Sequence, residues 1–383
     1  MQPARLGAFW FGIQVVWTSV LGVVLQDRIT ALASNPVRDY ALLAAGGAAL
    51  AAAVQVGAGL ASDRLRSRSG DRRAFYGTGV ALAVPALVLL TAAPSMLWLC
   101  LALAALQSGM NVAGGPYQAI VGDYVDASHV GRASAWMSIN QFAGSVTGLV
   151  LTIVLHGAVL GAALAACLVV AWWVTDRHVA RCTPVPYVRA SLRLSPSAWI
   201  VIGSRALINV GFYTLFGFLF FFVHESLGIA DARTATGLLF LAFTVTGVAG
   251  AALAGGAADR RDKRVVVSVA AAAIALAVGV FAVAPSFPVA LGCALGAGAA
   301  WGAFFTADWA IAYAVLPRAA LASAMGIWNL AATAAQIVAP GITAPLVRVA
   351  DARSAGLGPR LALLCVIVEF ALGTLCLWRV RIP

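Results

Sequence analysis

The residues able to do chemistry in this sequence are few and sit in apolar surroundings, so their spacing is informative. Gln107, Asn111, Gly114 and Gln118 follow one another at steps of four, three and four, which puts them on one helix face. Amides that both donate and accept suit the hydroxyl groups of a solute. Alternatively, they hydrogen-bond one helix to the next, with the glycine allowing close approach. Gln14, Trp17 and Thr18 form a second short stripe, in which the indole either stacks on a sugar ring or packs. Arg205, Asn209 and Tyr213 recur at steps of four, and Trp301, Phe305 and Asp308 at four and three. Asn140 and Asn329 either touch a solute or tie helices together. Glu369 is an isolated carboxyl in an apolar run; in a bilayer such a group is a functional suspect by default, or it sits there protonated.

The elements that hold these residues are membrane spans. The 383-residue chain is 62% hydrophobic and only 10% charged, with mean hydropathy +0.93, too little charge to cover the surface of a soluble protein of this length. Apolar runs long enough to cross about 30 Å of hydrocarbon recur throughout. They read as twelve helices near 6–26, 40–61, 75–93, 95–122, 132–155, 158–175, 198–223, 233–257, 264–284, 288–316, 319–347 and 358–379. The first run is followed by Gln26-Asp27-Arg28 rather than small residues, so it is expected to stay as a helix and not to be cleaved. On these spans Arg205 lies about 10 Å and Asp308 about 12 Å from one membrane surface, at 1.5 Å per residue. Charges at that depth are expected to pair. Arg does not deprotonate, so any proton switching belongs to Asp308.

The net charge of +11 rests on Arg, with Lys263 the only Lys. The basic residues lie in short links. With the N-terminus inside, eighteen fall inside and six outside, a bias that places both termini in the cytoplasm of a bacterial-type inner membrane. It also explains the charge without nucleic acid. The longest polar link, 176–197, divides a bundle at 1–175 from one at 198–383. The six cysteines show no ligand spacing, and no metal or cofactor motif, nucleotide loop or catalytic triad is present. Neither an enzyme nor a bound cofactor is expected.

The two halves repeat. GLASDR at 59–64 matches GGAADR at 255–260, and RASAWMSIN at 132–140 matches LASAMGIWN at 321–329. Internal duplication in a polytopic chain marks alternating-access transporters.

At these residues the chain resembles the major facilitator superfamily, whose cytoplasmic signature is similar to the stretch from Gly59 through Asp63-Arg64 to Gly70, Arg72, Arg73 and Phe75. The spacing of this stretch, together with Gly115-Pro116, Ala119 and Asp123, is most similar to the sucrose-type and glycoside–cation symporter branch. The resemblance implies an all-α fold of two pseudo-symmetric six-helix bundles. It also implies gating by Asp63, Arg64, Arg72, Arg73, Asp123, Asp259 and Arg260, in which the Asp caps a neighbouring helix and Asp123 pairs with Arg64, Arg72 or Arg73. Solute contacts are then expected from Gln14, Trp17, Gln107, Asn111, Gln118, Asn140, Asn209, Tyr213, Trp301 and Asn329, and coupling from Arg205, Asp308 and Glu369. The expected function is secondary active transport of a small polar solute, such as a sugar or glycoside, with protons as the candidate coupling ion and the chain as a monomer in the bilayer. Export of drugs or apolar metabolites, or a sensor or assembly role without transport, are the alternatives.

Overall fold

The computed structural model describes residues 2–185, 192–354 and 356–380. Pro186 and Arg189 of the expected linker and Arg381 of the basic tail lie outside them. Among the described residues, twelve helices are long and apolar enough to cross a membrane, and the protein is a multi-pass membrane protein with an all-α fold. In chain order these are α1 (Ala8–Leu32), α2 (Pro36–Ser69), α3 (Arg73–Thr91), α4 (Met96–Tyr124), α5 (Val130–Val154) and α6 (Gly157–Val179). The second six are α7 (Pro196–Ser226), α8 (Ala232–Arg260), α9 (Lys263–Ala282), α10 (Phe287–Val315), α11 (Leu321–Asp351) and α12 (Leu357–Leu377).

Helix starts are written locally. The Asn35 side chain accepts from Arg38 N–H before α2, Ser195 from Ala198 N–H before α7, and Asp231 from Thr234 N–H before α8. Each satisfies a donor that the first helical turn leaves open, and Pro36 and Pro196 supply a preset φ at the first helical position. Gly70 ends α2 in the left-handed region at φ 85°, the usual stop for a helix.

The hydropathy reading ended α2 near 61 and α8 near 257. Both helices run further, to Ser69 and Arg260. Asp63, Arg64 and Asp259 therefore sit on helical turns and not in the links that follow. Hydropathy marks where lipid stops, whereas the helix continues into water until a glycine or a change of backbone ends it. The link at 176–197 likewise begins later, because α6 carries Asp176 and Arg177 on its last turns.

The chain forms two compact units. The first runs to Arg193 and takes in Leu316–Ile327, the opening of α11; the second comprises Leu194–Val315 and the chain from Trp328 onward. Large apolar side chains point outward, with Leu253 81%, Leu276 72% and Ile153 70% exposed, as expected where the solvent is hydrocarbon. In lipid, helices associate by close packing rather than by a hydrophobic drive. The second unit takes this to backbone contact. A Cβ on Gly250 of α8 would run into the carbonyl of Ala299, and one on Gly302 of α10 into that of Gly247. We expect Gly250→Val to destabilise the second unit by at least about 1–3 kcal/mol, the usual cost of overpacking. A lowered thermal unfolding midpoint of the purified protein in detergent checks this.

Candidate functional site

Two buried polar clusters stand out, one in each unit. In the first unit, Arg72 lies just before α3 and is 1% exposed. Its Nε donates to Asp123 Oδ2 at 2.7 Å and its Nη1 to Asp63 Oδ1 at 2.6 Å and Ser62 Oγ at 3.0 Å. Arg66, one turn beyond Asp63 on α2, donates to the other oxygen of Asp123 and, at 3.2 Å, to the carbonyl of Val185. Val185 N–H in turn donates to the Asp123 carbonyl at 2.8 Å, so the chain beyond α6 is strapped to the cluster. The Asp63 carboxylate also accepts from Ser323 N–H at 2.9 Å, from Ala322 N–H at 3.3 Å and from the Ser323 hydroxyl. It thereby caps the positive end of α11. Burial alone would lower the Arg72 pKa, but the carboxylates of Asp123 and Asp63 outweigh it and hold the guanidinium above its ordinary value.

This arrangement differs in detail from the sequence expectation. Asp123 takes Arg72 and Arg66; Arg64 is exposed, and Arg73 pairs through two hydrogen bonds of 2.8 and 2.7 Å with Asp176 on α6. Arg66 was missed, although it lies three residues after Asp63 and so on its face. In the repeat-related position of the second unit, Asp259 is half-buried and Arg260 exposed.

Along α4, Gln107 is buried and Asn111 half-buried, with Asn111 Nδ2 donating to the Gln107 carbonyl at 2.8 Å. The stripe does not run unbroken to Gln118. Pro116 and a turn at Gln118–Ala119, where Ala119 N–H bonds back to the Pro116 carbonyl at 3.2 Å, interrupt the helix. On α1, Gln14 Nε2 reaches Thr18 Oγ1 at 3.5 Å, and Trp17 is half-buried. Asn140 donates to the Trp136 carbonyl of its own helix at 2.8 Å; Asn329 is half-buried on α11.

In the second unit, Arg205 on α7 and Asp308 on α10 are 4% and 6% exposed, and Arg205 Nη1 donates to Asp308 Oδ2. The guanidinium carbon lies 3.4 Å from the ring centre of Trp328 on α11. Trp328 packs on Trp309 at 4.7 Å between centroids, and Trp301 stacks on Phe212 at 4.4 Å and on Phe305 at 6.1 Å. Asn209 donates to the Arg205 carbonyl at 2.8 Å, and Tyr213 packs against Val210, Ala335 and Ala339. Trp328, missed from the sequence, is adjacent to Asn329, and its only signal was the large aromatic itself. Glu369 on α12 stands apart from this cluster, against Gly211 of α7. It faces Thr214, whose hydroxyl lies 3.3 Å from that of Thr343.

The family model described as Major Facilitator Superfamily matches residues 8–340. The chain belongs to the Major Facilitator Superfamily. Solved structures agree with the superfamily fold at low sequence identity. A bacterial homologue of the iron transporter ferroportin in an outward-facing state has TM-score 0.74 at 14% identity, covering 99% of both chains. The human organic anion transporter MFSD10 (TETRAN) has TM-score 0.69 at 14% identity, covering 98% of this chain and 100% of that one. The proton:xylose symporter XylE bound to a bromodeoxyglucose has TM-score 0.70 at 12% identity, covering 98% and 94%. No curated protein matches the chain. The superfamily fold is thus that of a membrane transporter.

Two outcomes are expected from the first unit. Asp63→Asn removes the charge from bonds that contribute about 1.5–3 kcal/mol each, so the transport rate should fall while solute affinity is kept; parallel flux and binding measurements on the reconstituted variant check this. Gln107→Leu should weaken binding of a hydroxyl-bearing solute by about 1 kcal/mol, roughly fivefold, read by titration calorimetry. An unchanged affinity there would make the α4 amides structural.

Proposed function

We propose that the protein is a secondary active transporter that moves a small polar solute by alternating access and couples it to protons at Arg205 and Asp308. The observation that carries this reading is the buried pair itself. Two opposite charges on different helices are 4% and 6% exposed, both deep in membrane spans. Measured from the helix ends, Arg205 lies about 14 Å and Asp308 about 10 Å along its helix at 1.5 Å per residue. A membrane protein keeps such charges at a cost. If Asp308 takes a proton, the pair breaks and Arg205 needs a new partner, which links a proton to a rearrangement of α7, α10 and the Trp328 ring.

The capping of α11 by Asp63 supports a latch that holds one access state, since a carboxylate on a helix N-terminus is made or broken as a unit. The basic bias of the links supports an inner-membrane location with both termini in the cytoplasm. A monomer is sufficient for this mechanism. The similar structures are a homologue of an iron transporter, an organic anion transporter and a proton:xylose symporter, so the solute class has to rest on this chain's own residues. The amides of α4, with Gln107 buried and Asn111 half-buried, favour a hydroxylated solute.

The test uses proteoliposomes and any solute that a thermal-shift screen over sugars, organic acids and apolar drugs shows to bind. With Asp308→Asn and Arg205 intact, accumulation driven by a pH gradient should be lost while exchange at equal concentrations survives. Undiminished accumulation by a folded variant would exclude Asp308 as the proton site and leave Glu369 as the next carboxyl to test.

A further inference from the structure

The immediate surroundings of Arg205 say more than that it is paired. Its Nη1 serves Asp308, its face is covered by the Trp328 ring at 3.4 Å, and its Nε is buried without a hydrogen-bond partner among the described residues. A guanidinium carries five donors in a fixed fork matched to a carboxylate. Here a fully buried fork is used by one carboxylate through one nitrogen, and one donor of its edge is left open.

Charge conservation then restricts the solute. Arg205 with Asp308 is neutral. A neutral solute entering beside the pair gives neither partner a reason to part. An organic anion that takes the fork would leave a net negative charge in the membrane interior unless Asp308 binds a proton. With the proton, the sum is again zero: neutral pair plus anion plus proton gives a neutral complex. The other groups facing the pair do not alter this sum. Tyr213 is the titratable group facing Arg205 from α7 itself, and α11 contributes the uncharged Trp328. From α8, Phe243, Gly247 and Gly250 meet α10. On α9 the only charges are Lys263 and Arg264 in its first turn, and on α12 Glu369 lies against Gly211, six residues beyond Arg205. The wall beside the fork is aromatic, running from Trp328 through Trp309 and Phe305 to Trp301, a surface suited to a ring or an apolar body.

We propose that the solute is an organic monocarboxylate whose carboxylate takes the Arg205 fork in place of Asp308, with Asp308 accepting one proton from water as it leaves. This rests on the proton-coupled reading of the pair and adds the class of solute and a stoichiometry of one proton per anion, so transport is electroneutral.

The test is made on the purified full-length protein in detergent, weakly buffered near pH 7.5 with a pH-sensitive dye, titrated with gluconate and benzoate and with glucose as the neutral control. Binding of a carboxylate should take up about one proton per anion bound, and its affinity should fall about tenfold per pH unit above the Asp308 titration, as one-proton linkage requires. Asp308→Asn should bind the same anion with no proton uptake and no such pH dependence. Arg205→Gln should lose anion binding; if that variant does not fold, the Asp308→Asn comparison decides alone. Binding without proton uptake, or no binding of either anion, overturns the proposal. If glucose instead accumulates in wild-type proteoliposomes under a pH gradient and fails to do so in Asp308→Asn, proton-coupled transport stands and the monocarboxylate assignment falls. Anion binding with proton uptake but no accumulation leaves the site in place and removes the transport reading.

Discussion

A charge removed from water has to be answered by another charge at hydrogen-bonding distance, and the internal organisation of both units follows from that requirement. The effective cost of one uncompensated ion in a protein interior is several kcal/mol, comparable to the whole margin of stability of a small domain. The first unit holds two arginines and two aspartates together, Arg66 and Arg72 with Asp63 and Asp123, and the second a single Arg205 with Asp308. Both clusters are neutral in sum. Each therefore dictates which helices lie side by side: the ends of α2 and α4 with the starts of α3 and α11 in one unit, and α7, α10 and α11 in the other.

The two clusters differ in what they can do because their surroundings differ. In the Arg72 cluster Asp123 takes two guanidiniums and Arg72 takes two carboxylates, and Asp63 is further held by backbone donors of α11. Losing one bond there weakens several. Arg205 has a single carboxylate and an aromatic face, so on the proposed reading a proton on Asp308 removes its one charge partner. Cooperative, multiply bonded charge suits a latch; a lone pair against aromatic rings suits exchange of partners.

Much of the fold was legible because a bilayer leaves little choice: apolar runs of sufficient length are helices, and the repeated Asp-Arg pairs at 63–64 and 259–260 set the two halves in register. Helix ends were less legible, since α2 continues past its apolar stretch to Gly70. Partner choice was least legible. Spacing along a helix tells which side chains share a face, and this was enough to align Arg205 with Asn209 and Tyr213. It does not tell which neighbouring helix that face meets. Thus Arg73 turned to Asp176 on α6 rather than to Asp123, and Trp328, which covers Arg205, had no polar atom pattern to reveal it. The signature between α2 and α3 lies in the Asp63 cluster and not among the candidate solute-contacting residues, which is why it identifies the superfamily without identifying the cargo.

The backbone contact between α8 and α10 has a consequence for how such a protein can change over generations. At Gly250 and Gly302 no side chain of any size is admitted, so that seam cannot drift. Trp301, Phe305 and Asp308 lie on the same helix but round to one side of it, where they touch other side chains rather than backbone. Substitutions there change the side chains around the proposed Arg205–Asp308 site while the frame stays in register. On the proposed reading of the site, a new cargo is then within reach of a few changes on α10, with no need to rebuild the bundle that carries them.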